Sequence, residues 1–225
     1  MQTVDAAYER IRNAGDWWAE CKAVIDGITF GEDSLQSMEI SSALFDGAPE
    51  LGGAIAGEVK ITMTAPGCSF RRMGKIEPFV RICNETERSS WIPKGVYYID
   101  TRKLLDDGAT LELTGYDAML RGETPYPIGR RGWPAKDADV LGDIAAVLGV
   151  TIDPRTVLGR DYSVPIPVDY TCREVLGQIA AAYGGTFLIS DQGQLRLVTL
   201  DTVPEFPRVI GDELPIEIGG VCILV

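Results

Sequence analysis

The chain has 225 residues, enough for one large or two small domains that bury their cores without disulfide support. Its 33 acidic and 21 basic residues give a formal net charge of −12, which opposes affinity for a phosphate backbone, and the absence of histidine removes the commonest general base and the commonest metal ligand together. Five cysteines, Cys21, Cys68, Cys83, Cys172 and Cys222, form an odd set with no C-x-x-C pair, so the spacing argues neither a disulfide framework nor a zinc site, and reduced, partly buried thiols in a protein made in the cytosol are expected.

In chain order, Thr3 to Ala14 reads as a short helix, with Val4, Ala7, Tyr8 and Ile11 at helical spacing and Gly15 where a left-handed cap would sit. Asp5, Glu9, Arg10, Arg12, Asp16, Glu20 and Lys22 interrupt this region too often for a signal peptide. No run of 18 or more apolar residues follows, so no membrane-spanning segment is expected. Trp17 to Ile25 alternates as a strand does, and Asp26-Gly27 turns it into Ile28 to Phe30. The adjacent Trp17 and Trp18 would point to opposite faces. The ordinary reading puts one in the core and leaves the other half-exposed; an anchor for a neighbouring subunit is the alternative.

Leu35 to Ser42 reads as a weaker strand, followed by a polar loop through Gly53. Ile55 to Thr64 is the clearest strand, with Val59, Ile61 and Met63 facing away from Glu58, Lys60, Thr62 and Thr64, and should be central. Cys68 to Glu77 reads as a basic loop carrying Arg71, Arg72 and Lys75, and Phe79 to Cys83 resumes as a strand. Tyr97, Ile99 and Thr101 alternate with Val96, Tyr98 and Asp100, Ala109 to Gly115 puts Leu111 and Leu113 on one face, and Asp106, Asp107 and Gly108 between them supply a tight reversal. The count of antiparallel strands up to Asp117 predicts a small closed or nearly closed barrel.

Arg121 to Lys136 is rich in Gly, Pro and Arg and marks a boundary. Beyond it VLGDIAAVLGVT (Val140 to Thr151) recurs as VLGQIAAAYGGT (Val175 to Thr186), an internal duplication of a helix-then-strand unit. Thr171 and Glu174 form a capping box, Asp137 is the expected cap of the earlier helix, and Gly149 and Gly184 end the two helices. Small residues at Gly142, Ala145, Ala146, Gly177, Ala180 and Ala181 serve close packing. Thr186 to Ser190 and Gln194 to Val198 flank Asp191, Gln192 and Gly193 as a further hairpin. The fold class expected is α+β. The domains expected are a β-barrel tube domain with a short N-terminal helix at 1–121, a linker at 122–136, a small α/β domain at 137–199, and the start of a second, incomplete β domain at 200–225.

Three segments carry a family resemblance: ELGGAIAGEVKITMTAPG (Glu50 to Gly67), the G-x-Y-Y-I-D strand with its turn and L-T-G-Y-D-A-M-L exit (Gly95 to Leu120), and TCREVLGQIAAAYGGTFLISDQGQLRLV (Thr171 to Val198). Their order resembles the first domains of phage and prophage tail hub proteins: baseplate hubs of contractile tails, or N-terminal hub parts of tail-associated proteins. The resemblance implies a virion tail component assembled in the host bacterial cytoplasm, a homotrimer whose two tube domains per chain mimic a six-fold ring, and contacts with a tail tube or distal tail protein above and a spike or fibre protein below. It also implies a second barrel continuing where this chain stops on Ile223, Leu224 and Val225. An acidic balance suits a channel through which DNA slides without sticking.

The residues themselves offer little chemistry. Asp106/Asp107 and Asp137/Asp139 could in principle form acid pairs, but they stand in a turn and at a helix start, where aspartate serves the backbone. Arg71, Arg72 and Lys75, or Arg130 and Arg131, could grip an acidic partner; solvated loop charge is the ordinary reading. Trp91 and Trp133 could serve a carbohydrate- or receptor-binding module, and a wall-degrading enzyme could follow a hub portion. No catalytic, cofactor-binding or metal-binding residue is expected.

Overall fold

The computed structural model describes residues 4–44, 51–67 and 69–199, together with the backbone of 216–218 and 221–223. Thr3, Cys68 and most of the stretch from Leu200 lie outside the described residues. The chain falls into two units: residues 1–41 with 58–116 and 213–225, and residues 42–57 with 117–212. Among the described residues it passes between them at Ser41/Ser42, Gly57/Glu58 and Tyr116/Asp117, an interleaving that composition does not show. The reason lies in a short segment that the loop after residue 41 sends into the second unit.

The first unit begins with α1 (Ala6–Ala14), capped by the Asp5 carboxylate, which accepts from the Tyr8 backbone N–H at 2.7 Å, and closed by Gly15 at φ 86°. Its strands are β1 (Trp18–Ile25), β2 (Ile28–Phe30), β3 (Leu35–Ser41), β5 (Glu58–Thr64), β6 (Lys75–Cys83), β7 (Ile92–Pro93), β8 (Tyr97–Leu104) and β9 (Thr110–Tyr116), with β14 (Ile216–Ile218) and β15 (Val221–Ile223). The sheet runs β14-β15-β3-β5-β9-β8-β6-β1-β2, with β7 beside β6. Asp26 (φ 48°) and Gly27 (φ 85°) make the β1–β2 turn, both in the left-handed region that a two-residue hairpin needs. The mostly antiparallel α+β class is as expected, but the closed barrel is not: no described ladder joins β2 back to β14 or β3. β2 has only three residues, two of them exposed, and the turn at Gly31–Ser34 sends β3 to pair with β5.

The open sheet still curls around one core. Phe30 and Met38, from opposite ends of the ladder, join Ile25, Val59, Ile61, Met63, Ile76, Ile99 and Leu113 in a single cluster, with Ile11 of α1 pressed into it. Register shifts at Leu35/Ser37 and Ile99/Thr101 supply local bends of the kind that coil a sheet. Each such side chain contributes roughly 1.5–3 kcal/mol by leaving water. Lys75 lies inside β6, which starts earlier than the sequence predicts because an exposed Lys75 and a half-buried Glu77, ion-paired with each other, flank a buried Ile76.

The second unit contains β4 (Gly53–Ala54), two short 3-10 helices at Ala118–Glu123 and Ile128–Arg130, β10 (Ala135–Lys136), α2 (Asp137–Leu148), β11 (Ser163–Val164), α3 (Cys172–Ala182), β12 (Gly185–Ile189) and β13 (Leu195–Thr199). β12 lies between antiparallel β13 and parallel β4. Buried Val140, Leu141, Ile144, Val175, Leu176, Ile179, Phe187, Leu195 and Leu197 form its interior. α3 carries the full capping box between Thr171 and Glu174. Lys136, not Asp137, is the N-cap of α2; Asp137 is its first residue, 1% exposed, accepting from the Ala138 N–H at 2.8 Å. The Gly149 N–H closes α2, while Tyr183 caps α3 one residue before Gly184. Behind α3 the chain enters β12; behind α2 it makes only an isolated bridge, Ile152 to Leu195.

Candidate assembly surfaces

Within the first unit, the far end of the β8–β9 hairpin projects past its neighbours. β6 pairs with β8 only at Tyr97 and Tyr98, and the Ile99 backbone is then held by Met73 and Gly74. Along Thr101–Leu104 the second edge of β8 carries no strand among the described residues, and all four side chains are exposed, Leu104 by 56%. A free edge of this length can accept another strand. Arg102 donates to the Phe70 carbonyl and so ties the hairpin to the loop that precedes β6.

That loop carries the cations singled out in the sequence. Arg71 is 82% exposed and only 3.9 Å from Asp26; Arg72, 72% exposed, pairs with Asp100 at 2.9 Å. Met73 adopts φ 62°, a costly conformation for a long side chain, and the Met73 N–H donates to Ile99 O at 2.7 Å. Gly74 is required beside it, because a Cβ there would lie 2.6 Å from Asp26 Oδ2. Asp26 in turn accepts from the Lys75 N–H at 3.0 Å. The loop is therefore fixed by its backbone, and it presents Arg71, Arg72 and Met73 outward.

At the other end of β1, Trp17 packs against the core and Trp18 is 44% exposed. Both line a cleft of about 580 Å³ with Ala14, Asp16, Asn84, Glu85 and Thr86. The Asn84 carboxamide oxygen accepts from the Thr86 and Glu87 N–H groups and from the Thr86 hydroxyl, which shapes the cleft wall. The sequence singles out the two tryptophans but not this wall.

The remaining candidates serve the fold. Asp107 accepts from the Ala109 and Thr110 N–H groups and from the Thr110 hydroxyl, and these bonds, the hydroxyl first, hold its carboxyl below the usual range. Asp137 accepts from the Tyr183 hydroxyl at 2.5 Å, and burial together with that carboxylate pushes the phenol up. Arg131 is an internal brace: it donates to Asp143 at 2.6 Å and lies 3.3 Å from Asp139, while Tyr126 donates to the same Asp143 oxygen at 2.8 Å. Trp91 lies beneath Lys22 and Arg81, 4.5 and 4.3 Å from its ring centre, and Trp133 meets Tyr126 edge-on at 5.8 Å. Neither belongs to an open aromatic row. Cys21, Cys83 and Cys172 form no disulfide, and burial pushes the Cys21 and Cys83 thiols up from their ordinary value, away from thiolate reactivity. Among the described residues no three His, Cys, Asp or Glu side chains gather as a metal site, and no helix is long and apolar enough to cross a membrane.

Comparison with solved structures shows what this fold is similar to. The prophage MuSo2 43 kDa tail protein from Shewanella oneidensis superposes with a TM-score of 0.57 at 13% identity, over 80% of this chain and 55% of that one. The tail protein from Neisseria meningitidis MC58 gives 0.56 at 13% identity, over 80% of this chain and 51% of its own. The chain thus spans about half the length of the tail proteins whose fold it shares. No protein-family model and no curated protein matches it. The likeness to phage tail proteins implied by the sequence is present in the fold.

Proposed function

We propose that the chain is a structural subunit of a phage or prophage tail, and within the tail a hub subunit that joins the tail tube to the tip. The observation that supports this reading most is the shared fold with two tail proteins over 80% of the chain. The exposed edge of β8 and the fixed basic loop beside it provide surfaces for copies to meet. On this reading three copies form a ring, a tube or distal tail protein stacks on one side of it and a spike or fibre protein on the other, and the work done is symmetry adaptation and holding a channel open. The net charge of −12 favours a lumen that DNA passes without binding. The role is structural and not enzymatic.

The test is localisation in assembled particles. Immunogold labelling of tail particles released on prophage induction should place this chain at the junction of tube and tip, and tails made without it should lack a tip. Label confined to free protein, or tails that assemble normally without the chain, would refute the reading.

A further inference from the structure

The fixed basic loop and the tryptophan cleft stand at opposite ends of the same strand. From Trp18 to Ile25 β1 rises about 23 Å at ~3.3 Å per residue. At the Ile25 end, the Asp26 N–H donates to the Lys75 carbonyl at 2.9 Å while the Asp26 carboxylate accepts from the Lys75 N–H, and the pair holds the loop that presents Arg71, Arg72 and Met73. At the Trp18 end lies the cleft with Asp16, Glu85 and two indoles. Both features belong to one unit, and one strand of the curled sheet sets the spacing between them.

Their chemistry is complementary. Arginine guanidinium groups pair with carboxylates and lie on indole faces, and this chain already stacks Arg81 on Trp91 at 4.3 Å. A methionine thioether packs well against an aromatic edge. Among the described residues the carboxylate paired with Arg71 is that of Asp26, at 3.9 Å, and Met73 is held outward, 38% exposed, in a strained backbone conformation. Tryptophan and arginine are also the residues on which interfaces concentrate their energy. We propose that the loop bearing Arg71, Arg72 and Met73 of one copy docks into the Asp16/Trp17/Trp18/Glu85 cleft of a second copy of this chain. Because knob and socket lie on different parts of the surface, the contact is head-to-tail, and it closes into a ring when the rotation between copies allows. The inference rests on the reading of the chain as a ring-forming tail subunit and names the partner surfaces of that ring.

The experiment is sedimentation velocity on the full chain over a concentration series at low and high salt, with near-ultraviolet circular dichroism to verify that each variant is folded. Wild type should self-associate, and salt should weaken it. Arg71→Glu with Met73→Ser, or Asp16→Lys with Glu85→Lys, should each weaken association about tenfold or more, as losing central contacts does. Combining Arg71→Glu and Arg72→Glu with Asp16→Lys and Glu85→Lys in one chain should restore association to within a few-fold, because the reversed charges again match. Trp18→Ala should weaken it without altering the salt dependence. Folded variants that associate like wild type would overturn the docking and leave the tail-subunit reading to the particle labelling. A wild-type chain that stays monomeric, or a Trp18 fluorescence change on adding oligosaccharides without any self-association, would overturn the docking as well.

Discussion

Asp117 gives the sharpest test of how the second unit is held where the chain enters it. The Asp117 side chain is 5% exposed and accepts from the Gly57 N–H at 2.6 Å and the Met119 N–H at 2.9 Å, while its own backbone N–H donates to the Gly57 carbonyl at 3.0 Å. Burial pushes the carboxyl up from 3.8 to about 6, outweighing the two backbone N–H groups and the charge of Arg173. At ~1.4 kcal/mol per unit, that rise ties ~3 kcal/mol of stability to the proton. The folded carboxyl takes up its proton more readily than the unfolded one. The linked stability is therefore fully present below pH 3.8 and is lost as the pH climbs through about 6.

The Asp117→Asn variant stays neutral throughout, but its carboxamide has one carbonyl oxygen where the carboxylate offers two, so one backbone N–H loses its acceptor at a cost of ~1–3 kcal/mol. At neutral pH the loss of that bond and the relief of the buried charge nearly cancel, and Asp117→Asn should unfold within about 1–2 kcal/mol of wild type. On acidification from about pH 7 to about pH 4 the wild type should gain ~2 kcal/mol relative to the variant. Urea denaturation of both proteins at matched pH values reads the difference, in which the other titrating groups cancel. A difference that is flat with pH, or that grows as pH rises, would show that the N–H bonds dominate over burial and would refute the reasoning.

Further predictions concern α3 and its neighbours. Thr171→Ala removes the hydroxyl that accepts from the Glu174 N–H at 3.2 Å and donates to the Glu174 carboxylate at 3.0 Å, leaves the backbone N–H of residue 171 on that carboxylate, and should cost ~1 kcal/mol in urea denaturation, with faster amide exchange confined to the first turn of α3. The glycines of the two VLG segments should respond in opposite directions: a Cβ at Gly142 meets nothing within 4 Å, so Gly142→Ala should stabilise by up to ~1 kcal/mol through helix propensity. A Cβ at Gly177 would lie 2.6 Å from the Gly52 carbonyl oxygen, so Gly177→Ala should push β4 off β12, read as lost amide protection at Ile55, whose N–H donates to Phe187 O at 3.0 Å. Equal effects at the two positions would contradict this packing.

Most of the strands were legible in the sequence because a half-buried antiparallel strand alternates visibly. Val59, Ile61 and Met63 are 0–1% exposed and face the core together, as their spacing predicts. The Asp26-Gly27 and Gly108 reversals were legible because only a few residue types tolerate positive φ. Closure was not legible. Whether a sheet of this size meets itself depends on which edge strand is short, and β2 reads as well in sequence as strands twice its length. β4 was hidden for a different reason: two residues have no period, and Gly53-Ala54 gains its partner from residues more than a hundred positions later. The candidate assembly surfaces were half visible. Trp17, Trp18, Arg71 and Arg72 stood out by type, but their placement at the two ends of β1 follows from the pairing of β1 with β6 along its whole length, which no local pattern reveals.

The segment around β4 also explains why the two VLG helices are not interchangeable. α3 approaches β4 so closely that Gly52 at φ 93° and Gly177 must both lack a side chain, and the added Cβ of Gly52 would fall 2.8 Å from that of Ala181. A loop that leaves one unit at Ser41 and returns at Gly57 thereby contributes a strand to the other unit, and Gly57 is then held on both its N–H and its C=O by Asp117, where the chain crosses again. Loosening β4 should thus be felt at Asp117, one hydrogen-bonded clasp away. The same logic applies to the free edge of β8. A bare apolar edge would pair with any strand, whereas the exposed Arg102 and Lys103 place charge on this one, which disfavours indiscriminate strand pairing.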